Sequence, residues 1–214
     1  MTSPPIGVVY LAYPFRGRWL TQNSPAHRVP SHGTHLMGTT YAVDFVPVDG
    51  QGRSAPRSWR AVVGTERPDV FFGFGTPVLA PCAGRVVIAH DGETDHEARR
   101  SQLTLIPYML SQARRVRQGA AGLAGNHVVI SPGPSGPFIL LAHLRRSSLM
   151  VSVGDEVESG QVIGQCGNSG NSTQPHVHIQ ATDSTAWDTA RGLPLAFVDA
   201  RAPRMPRESE IVTV

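Results

Sequence analysis

Residues Thr173 to Gln180 read TQPHVHIQ and place two histidines, His176 and His178, two positions apart in a stretch with strand character. Successive side chains of a strand point to opposite faces, so the two imidazoles share one face and Val177 and Ile179 take the other. Such a pair can bind a metal or move a proton, but it can also mark the wet face of a half-buried strand, and other polar residues must decide. Tyr41 to Val46, YAVDFV, reads as a second strand. Tyr41, Val43 and Phe45 share a face, which leaves Asp44 between Ala42 and Val46 on the other. An acid among small apolar neighbours needs a partner. Just upstream, the segment SHGTH supplies His32 and His35, and the apolar run FILLAHL carries His143.

A zinc ion that catalyses hydrolysis takes three protein ligands from His, Cys and Asp or Glu and keeps a fourth position for water. His178 offers one nitrogen, Asp44 one oxygen, and either His35 or His32 the third donor. His176 and His143 then remain. A neutral imidazole beside a metal-bound water can accept its proton and deliver it to a leaving amine, and a protonated one can hydrogen-bond a developing oxyanion.

The elements that must carry these groups are mostly strands. The chain has 22 glycines and 18 prolines and its apolar runs are short and rich in Val and Ile, which favours an all-β, mainly antiparallel fold. Strands are expected at 7–13, 41–46, 75–81, 84–89, 126–131, 138–144 and 193–198. Between them, Ile106, Met109, Leu110, Ala113 and Val116 recur at helical spacing, with Arg114, Arg115 and Arg117 opposite and Pro107 at the start, so a helical insert is expected within 93–125. The arginines fit a solvated last turn. The formal charge of +3 comes from arginine alone, because the sequence contains no lysine, and no basic run is interleaved with aromatics as in nucleic-acid modules. No segment approaches the ~20 apolar residues of a membrane span. Gly7 to Tyr13 lacks the charged start and small-residue cleavage site of a signal peptide, which makes a cytoplasmic location the default expectation. Cys82 and Cys166 are expected as packed free thiols, and the protein as a monomer.

Taken in order, a histidine followed by YAVDF, then GTPVLAPCAGRVV, GNHVVIS, LLAHL, VSVGDEVESGQVIGQCGNSGNST and PHVH resemble the LytM/lysostaphin-type zinc endopeptidases, many of which cut peptide cross-links of bacterial cell walls. The resemblance covers roughly residues 31–183. It implies a peptidase domain over 31–183; the residues flanking it read as an N-terminal arm over 1–30 and a C-terminal extension over 184–214 ending in a loosely held Pro/Arg-rich tail, and the insert within 93–125 has no counterpart in short relatives. It also implies a fold of the barrel-sandwich hybrid or duplicated hybrid motif type. By the same resemblance the histidine upstream of Asp44, Asp44 itself and His178 hold zinc, and His143 and His176 are catalytic. The expected substrate is a peptide or peptidoglycan. This sequence departs from many relatives in the gap before the aspartate, since eight residues, 36 to 43, separate His35 from Asp44. His35 needs the smaller loop excursion and is preferred; His32 can reach if the Gly38–Thr40 turn folds back. Leu141 stands where relatives often have tyrosine.

Two other classes fit the sequence less well. A non-catalytic binding module would have lost ligands that this chain retains, and a lipoyl- or biotinyl-type carrier would need the lysine it lacks. An intracellular peptide is the alternative substrate. His27, His90, His96 and His127 are read as ordinary surface imidazoles, and the Asn168–Ser172 cluster as turn formers that aim the PHVH strand.

Overall fold

The computed structural model describes residues 7–59, 61, 64–99, 119–199 and 202–214. Its largest element is an antiparallel sheet of nine strands among the described residues, in the order β13 (Ile211–Thr213), β2 (Arg18–Gln22), β3 (Val43–Pro47), β10 (Val177–Thr182), β7 (Phe138–Leu144), β6 (Asn126–Ser131), β5 (Gly84–His90) and β8 (Glu156–Val157). The ninth, β11 (Gly192–Leu193), pairs with the far end of β10. Two small sheets flank it: β4 (Pro77–Leu79) runs antiparallel to β9 (Val162–Gln165), and β1 (Val9–Leu11) parallel to β12 (Leu195–Phe197). The all-β, mainly antiparallel fold expected from composition is what forms. A short helix, α1 (Gly119–Ala124), precedes β6; the expected helical run from Ile106 to Val116 lies outside the described residues.

Alternation explains which face each strand buries. Val43 and Phe45 on β3, Ile139 and Leu141 on β7, Val128 and Ile130 on β6, and Val177, Ile179 and Ala181 on β10 all enter one core. The first thirty residues supply much of its bulk. Tyr13, Phe15 and Trp19 are buried against Phe45 and Phe197, with the Phe15 and Trp19 rings stacked at 4.4 Å and Tyr13 and Phe197 at 4.8 Å. Full burial of each such side chain contributes about 1.5–3 kcal/mol. Residues 7–22 are therefore part of the domain's core and sheet. Leu141 is fully buried in this core, away from the polar face.

The C-terminal stretch is a correction to the expected loose tail. Arg204 exchanges backbone hydrogen bonds with Phe197 and its guanidinium pairs with Glu210, while β13 completes the sheet edge on β2 and buries Val212. The sequence of this segment is rich in Pro and Arg, but its backbone satisfies an otherwise open strand edge.

Register fixes the site. β10 lies between β3 and β7, and its pairing sets His178 opposite Asp44 on one side and Ala142 on the other. The polar face of three neighbouring strands thus converges on one place.

Candidate active site

On the face opposite the core lies a cleft of about 430 Å³ whose polar lining includes His32, Asp44, His143, His176 and His178. His178 and Gln180 project there from β10, as the period of two requires, while Val177 and Ile179 fill the core. Asp44 reaches it from β3.

His143 does not follow the alternation. Ile139 and Leu141 face the core and Leu140 and Ala142 the cleft, so His143 would be expected to point inward. Its φ of +63° breaks the pattern: His143 lines the cleft, and Leu144 joins the core instead. A left-handed non-glycine residue costs of order 1–3 kcal/mol, and such residues cluster at functional sites.

His32, rather than the preferred His35, meets Asp44. Its Nε2 lies 3.1 Å from Asp44 Oδ2, and His178 Nδ1 lies 2.9 Å from Asp44 Oδ1. His35 is exposed and its Nδ1 sits 3.1 Å from Thr40 Oγ1. The cause is a fold-back of the loop. Met37 and Gly38 both adopt positive φ, the Ser31 amide donates to Thr40 O at 3.0 Å, and this closure carries His32 inward and leaves His35 on the outer side. Gly38 is required by space as well as by conformation, because a Cβ there would collide with Thr182 Cγ2.

His32, Asp44 and His178 each offer one donor atom within 4.8 Å of the other two. Two ligands held about 2.1 Å from a tetrahedral ion lie roughly 3.4 Å apart, so this donor set needs little adjustment to receive one. Its chemistry, two imidazoles and a carboxylate, suits a borderline cation such as zinc. Outer contacts orient each donor. Asn23 Nδ2 donates to Asp44 Oδ2 at 2.7 Å. Gln180 Nε2 donates to Met37 O at 2.8 Å, which turns Oε1 toward His178 Nε2 at 2.9 Å. His178 Nε2–H therefore donates to Gln180, and Nδ1 faces Asp44, donating to Oδ1 when protonated and free to offer its lone pair when a metal is held there.

The two remaining histidines are held in a common manner. His143 Nδ1–H donates to Ser169 O at 2.9 Å, and His176 Nδ1–H to Gln174 O at 2.8 Å. Both Nε2 atoms are thereby left available. The rings lie 4.7 Å apart, and His176 Nε2 is 3.7 Å from Asp44 Oδ1. Burial, reinforced by His176 and His178, holds the His143 imidazole well below its ordinary value. Burial also lowers His176, though Asp44 opposes it. For His178 burial is outweighed by the hydrogen bond and charge of Asp44, which raise it. Asp44 itself is pushed up by burial but held well below the carboxylate range by His32, His176 and its hydrogen bonds.

Three features escaped sequence reasoning. The Asn168–Ser172 loop does more than turn the chain: Ser169 O holds His143, Ser172 Oγ lies 3.0 Å from His176 Nδ1, and Asn168, Ser169 and Ser172 are fully buried. Gln180 was passed over, although it stands on the same strand face as His178 and two residues along. His127, read as an ordinary surface imidazole, is 4% exposed and lines the cleft. Alternation with the core residues Val128 and Ile130 was the available signal. Cys82 and Cys166 are both free.

The fold and this cleft together define an all-β protein with a His–Asp–His cluster that can hold a metal ion. The model of peptidase family M23 matches residues 110–188 of this chain. That span includes His143, His176 and His178 and excludes His32 and Asp44. A 57-residue segment is 42% identical to the glycyl-glycine endopeptidase ALE-1 of Staphylococcus capitis, covering 26% of this chain and 16% of the relative. An 80-residue segment is 35% identical to the peptidoglycan DD-endopeptidase ShyA of Vibrio cholerae, covering 37% of this chain and 16% of that protein. The matches thus span a small part of either relative. Among solved structures, the catalytic domain of lysostaphin from Staphylococcus simulans aligns over 87% of this chain and 86% of its own, with 22% identity and a TM-score of 0.41. No helix among the described residues is long and apolar enough to cross a membrane.

Proposed function

We propose that this chain is a zinc-dependent endopeptidase that hydrolyses peptide bonds in peptidoglycan cross-links. The observation that carries the reading is the convergence of His32, Asp44 and His178 donors beside two further histidines whose Nδ1 atoms are tied to main-chain carbonyls. The substrate class is supported by the segments shared with a glycyl-glycine endopeptidase and a peptidoglycan DD-endopeptidase.

His32 Nε2, one Asp44 oxygen and His178 Nδ1 would hold the metal, and zinc held there would supply acidification of water toward ~7 and polarisation of a carbonyl. His143, kept neutral by burial, takes the proton of the attacking water at Nε2 and passes it to the leaving amine. His176 Nε2 lies 3.7 Å from Asp44 Oδ1, which opposes the lowering by burial; when protonated, this ring donates its Nε2 hydrogen to the oxyanion that develops on the scissile carbonyl. Ser169 O and Gln174 O fix both rings in place before substrate arrives.

Zinc content of the purified protein, together with mass analysis of products from purified peptidoglycan, tests the reading. His143→Ala is expected to keep its zinc and lose cleavage. A parent protein that binds no zinc stoichiometrically, or a His143→Ala variant as active as the parent, defeats it.

A further inference from the structure

Beside the proposed centre, the cleft has an apolar wall that the reaction just described does not use. Leu140 and Ala142 of β7 form its floor, 5% and 1% exposed, and belong with Val129 to a cluster separate from the main core; Trp187 packs against that cluster and also lines the cleft. His127 stands next to this floor on β6, at the point where a register shift between Asn126 and Val128 sets it near Ala142. Its Nδ1–H donates to Gly125 O at 2.7 Å, so Nε2 carries the lone pair. The ring is stacked on His90 at 5.3 Å between centroids, and among the described residues Nε2 has no hydrogen-bond partner. Burial lowers this imidazole's affinity for protons, which keeps Nε2 an acceptor near neutral pH.

A nine-tenths-buried acceptor beside an apolar floor is complementary to one feature of a peptide: a main-chain N–H followed by an apolar side chain. Glycine supplies the N–H and nothing for the floor. We propose that His127 Nε2, Leu140, Ala142 and Trp187 form a substrate subsite that accepts the backbone N–H of a residue near the scissile bond and selects an apolar side chain on it over glycine. The subsite rests on the peptidase reading above, deepening it with a substrate preference.

The test uses zinc-loaded protein and blocked peptides that differ only in one residue beside the scissile bond, glycine against leucine. The parent is expected to favour leucine by roughly tenfold in kcat/KM. His127→Ala lowers kcat/KM by about 3–10-fold with zinc content unchanged, as loss of one neutral hydrogen bond requires, and His127→Gln, which retains an acceptor, recovers most of it. Trp187→Ala brings the leucine-to-glycine ratio toward one. Equal rates on the two parent substrates, or an unaffected His127→Ala, overturn the subsite while leaving the peptidase reading intact. A second measurement works without turnover: titration with a non-cleavable reduced-amide leucine peptide, followed by the 15N signal of His127 Nε2. That signal moves with the leucine peptide and much less with its glycine counterpart; no movement with either overturns the proposal, even if no peptide is cut.

Discussion

Replacement of Gln180 by leucine isolates the link between the strand that carries His178 and the loop that carries His32. Gln180 is 2% exposed and makes two hydrogen bonds, accepting from His178 Nε2 at 2.9 Å and donating to Met37 O at 2.8 Å. Leucine is close in volume, so the change removes polarity with little cavity. The His178 N–H and the Met37 carbonyl would both lose their partner. An unsatisfied buried group costs about 1–3 kcal/mol, so Gln180→Leu should destabilise the metal-free protein by about 2–4 kcal/mol once partial access to water is allowed for. A residue that orients a ligating histidine is worth about 10–100-fold in metal affinity, or roughly 1.4–2.7 kcal/mol. Urea unfolding gives the first quantity and competition against a chromophoric chelator the second.

Gln180→Glu separates the two effects. Its carboxylate still accepts from His178 Nε2, but its second oxygen meets the Met37 carbonyl without a hydrogen between them. Zinc affinity should stay close to the parent's while stability falls. If Gln180→Leu binds zinc as tightly as the parent, the idea that this amide sets the tautomer and direction of His178 is refuted.

Further outcomes follow from the same geometry. His32→Ala should weaken zinc by roughly 100-fold, about 3 kcal/mol, on the scale of a single ligand's share of a zinc site, whereas His35→Ala, an exposed change, should stay within about twofold when both are measured by chelator competition. Metal-free protein should lose stability on acidification: His143, His176 and His127 all have folded values below the ordinary 6.5, so the unfolded chain binds more protons as pH falls through that value. Their contribution is complete above about pH 6.5 and shrinks below it; His178 is raised and opposes the trend as one group against three, so a urea midpoint that rises between about pH 7.5 and about pH 5.5 contradicts the assignment. Tyr13 buries its hydroxyl without a partner in the aromatic core, and burial pushes that phenol up to about 12, so Tyr13→Phe should leave stability unchanged or raise it by about 1 kcal/mol in the same unfolding assay.

What could be read from the residues was what repeats with a period of two. Asp44 between buried Val43 and Phe45, and His178 between buried Val177 and Ile179, declared their common face through their neighbours, and strand pairing then had only to set them in register. His127 carried the same signal between Asn126 and Val128 and was discounted because it stood near a strand end. Choices made by loops left no such trace. Whether His32 or His35 turns inward depends on left-handed Met37 and Gly38 and on a Ser31–Thr40 closure; sequence distance favours His35, which the fold leaves outside, because it measures contour length and ignores where the chain bends. His143 shows the limit from the other direction. Periodicity would have turned its ring into the core, and only a backbone held at φ +63° points it at the cleft. Ser169 connects these cases, since its carbonyl orders the His143 ring while its hydroxyl accepts from the Asn126 amide and donates to Leu144 O, locking together the loop and both strand ends around that strained residue. His143 is thus set by contacts whose partners lie up to 43 residues apart in sequence, which no local pattern in either segment can encode.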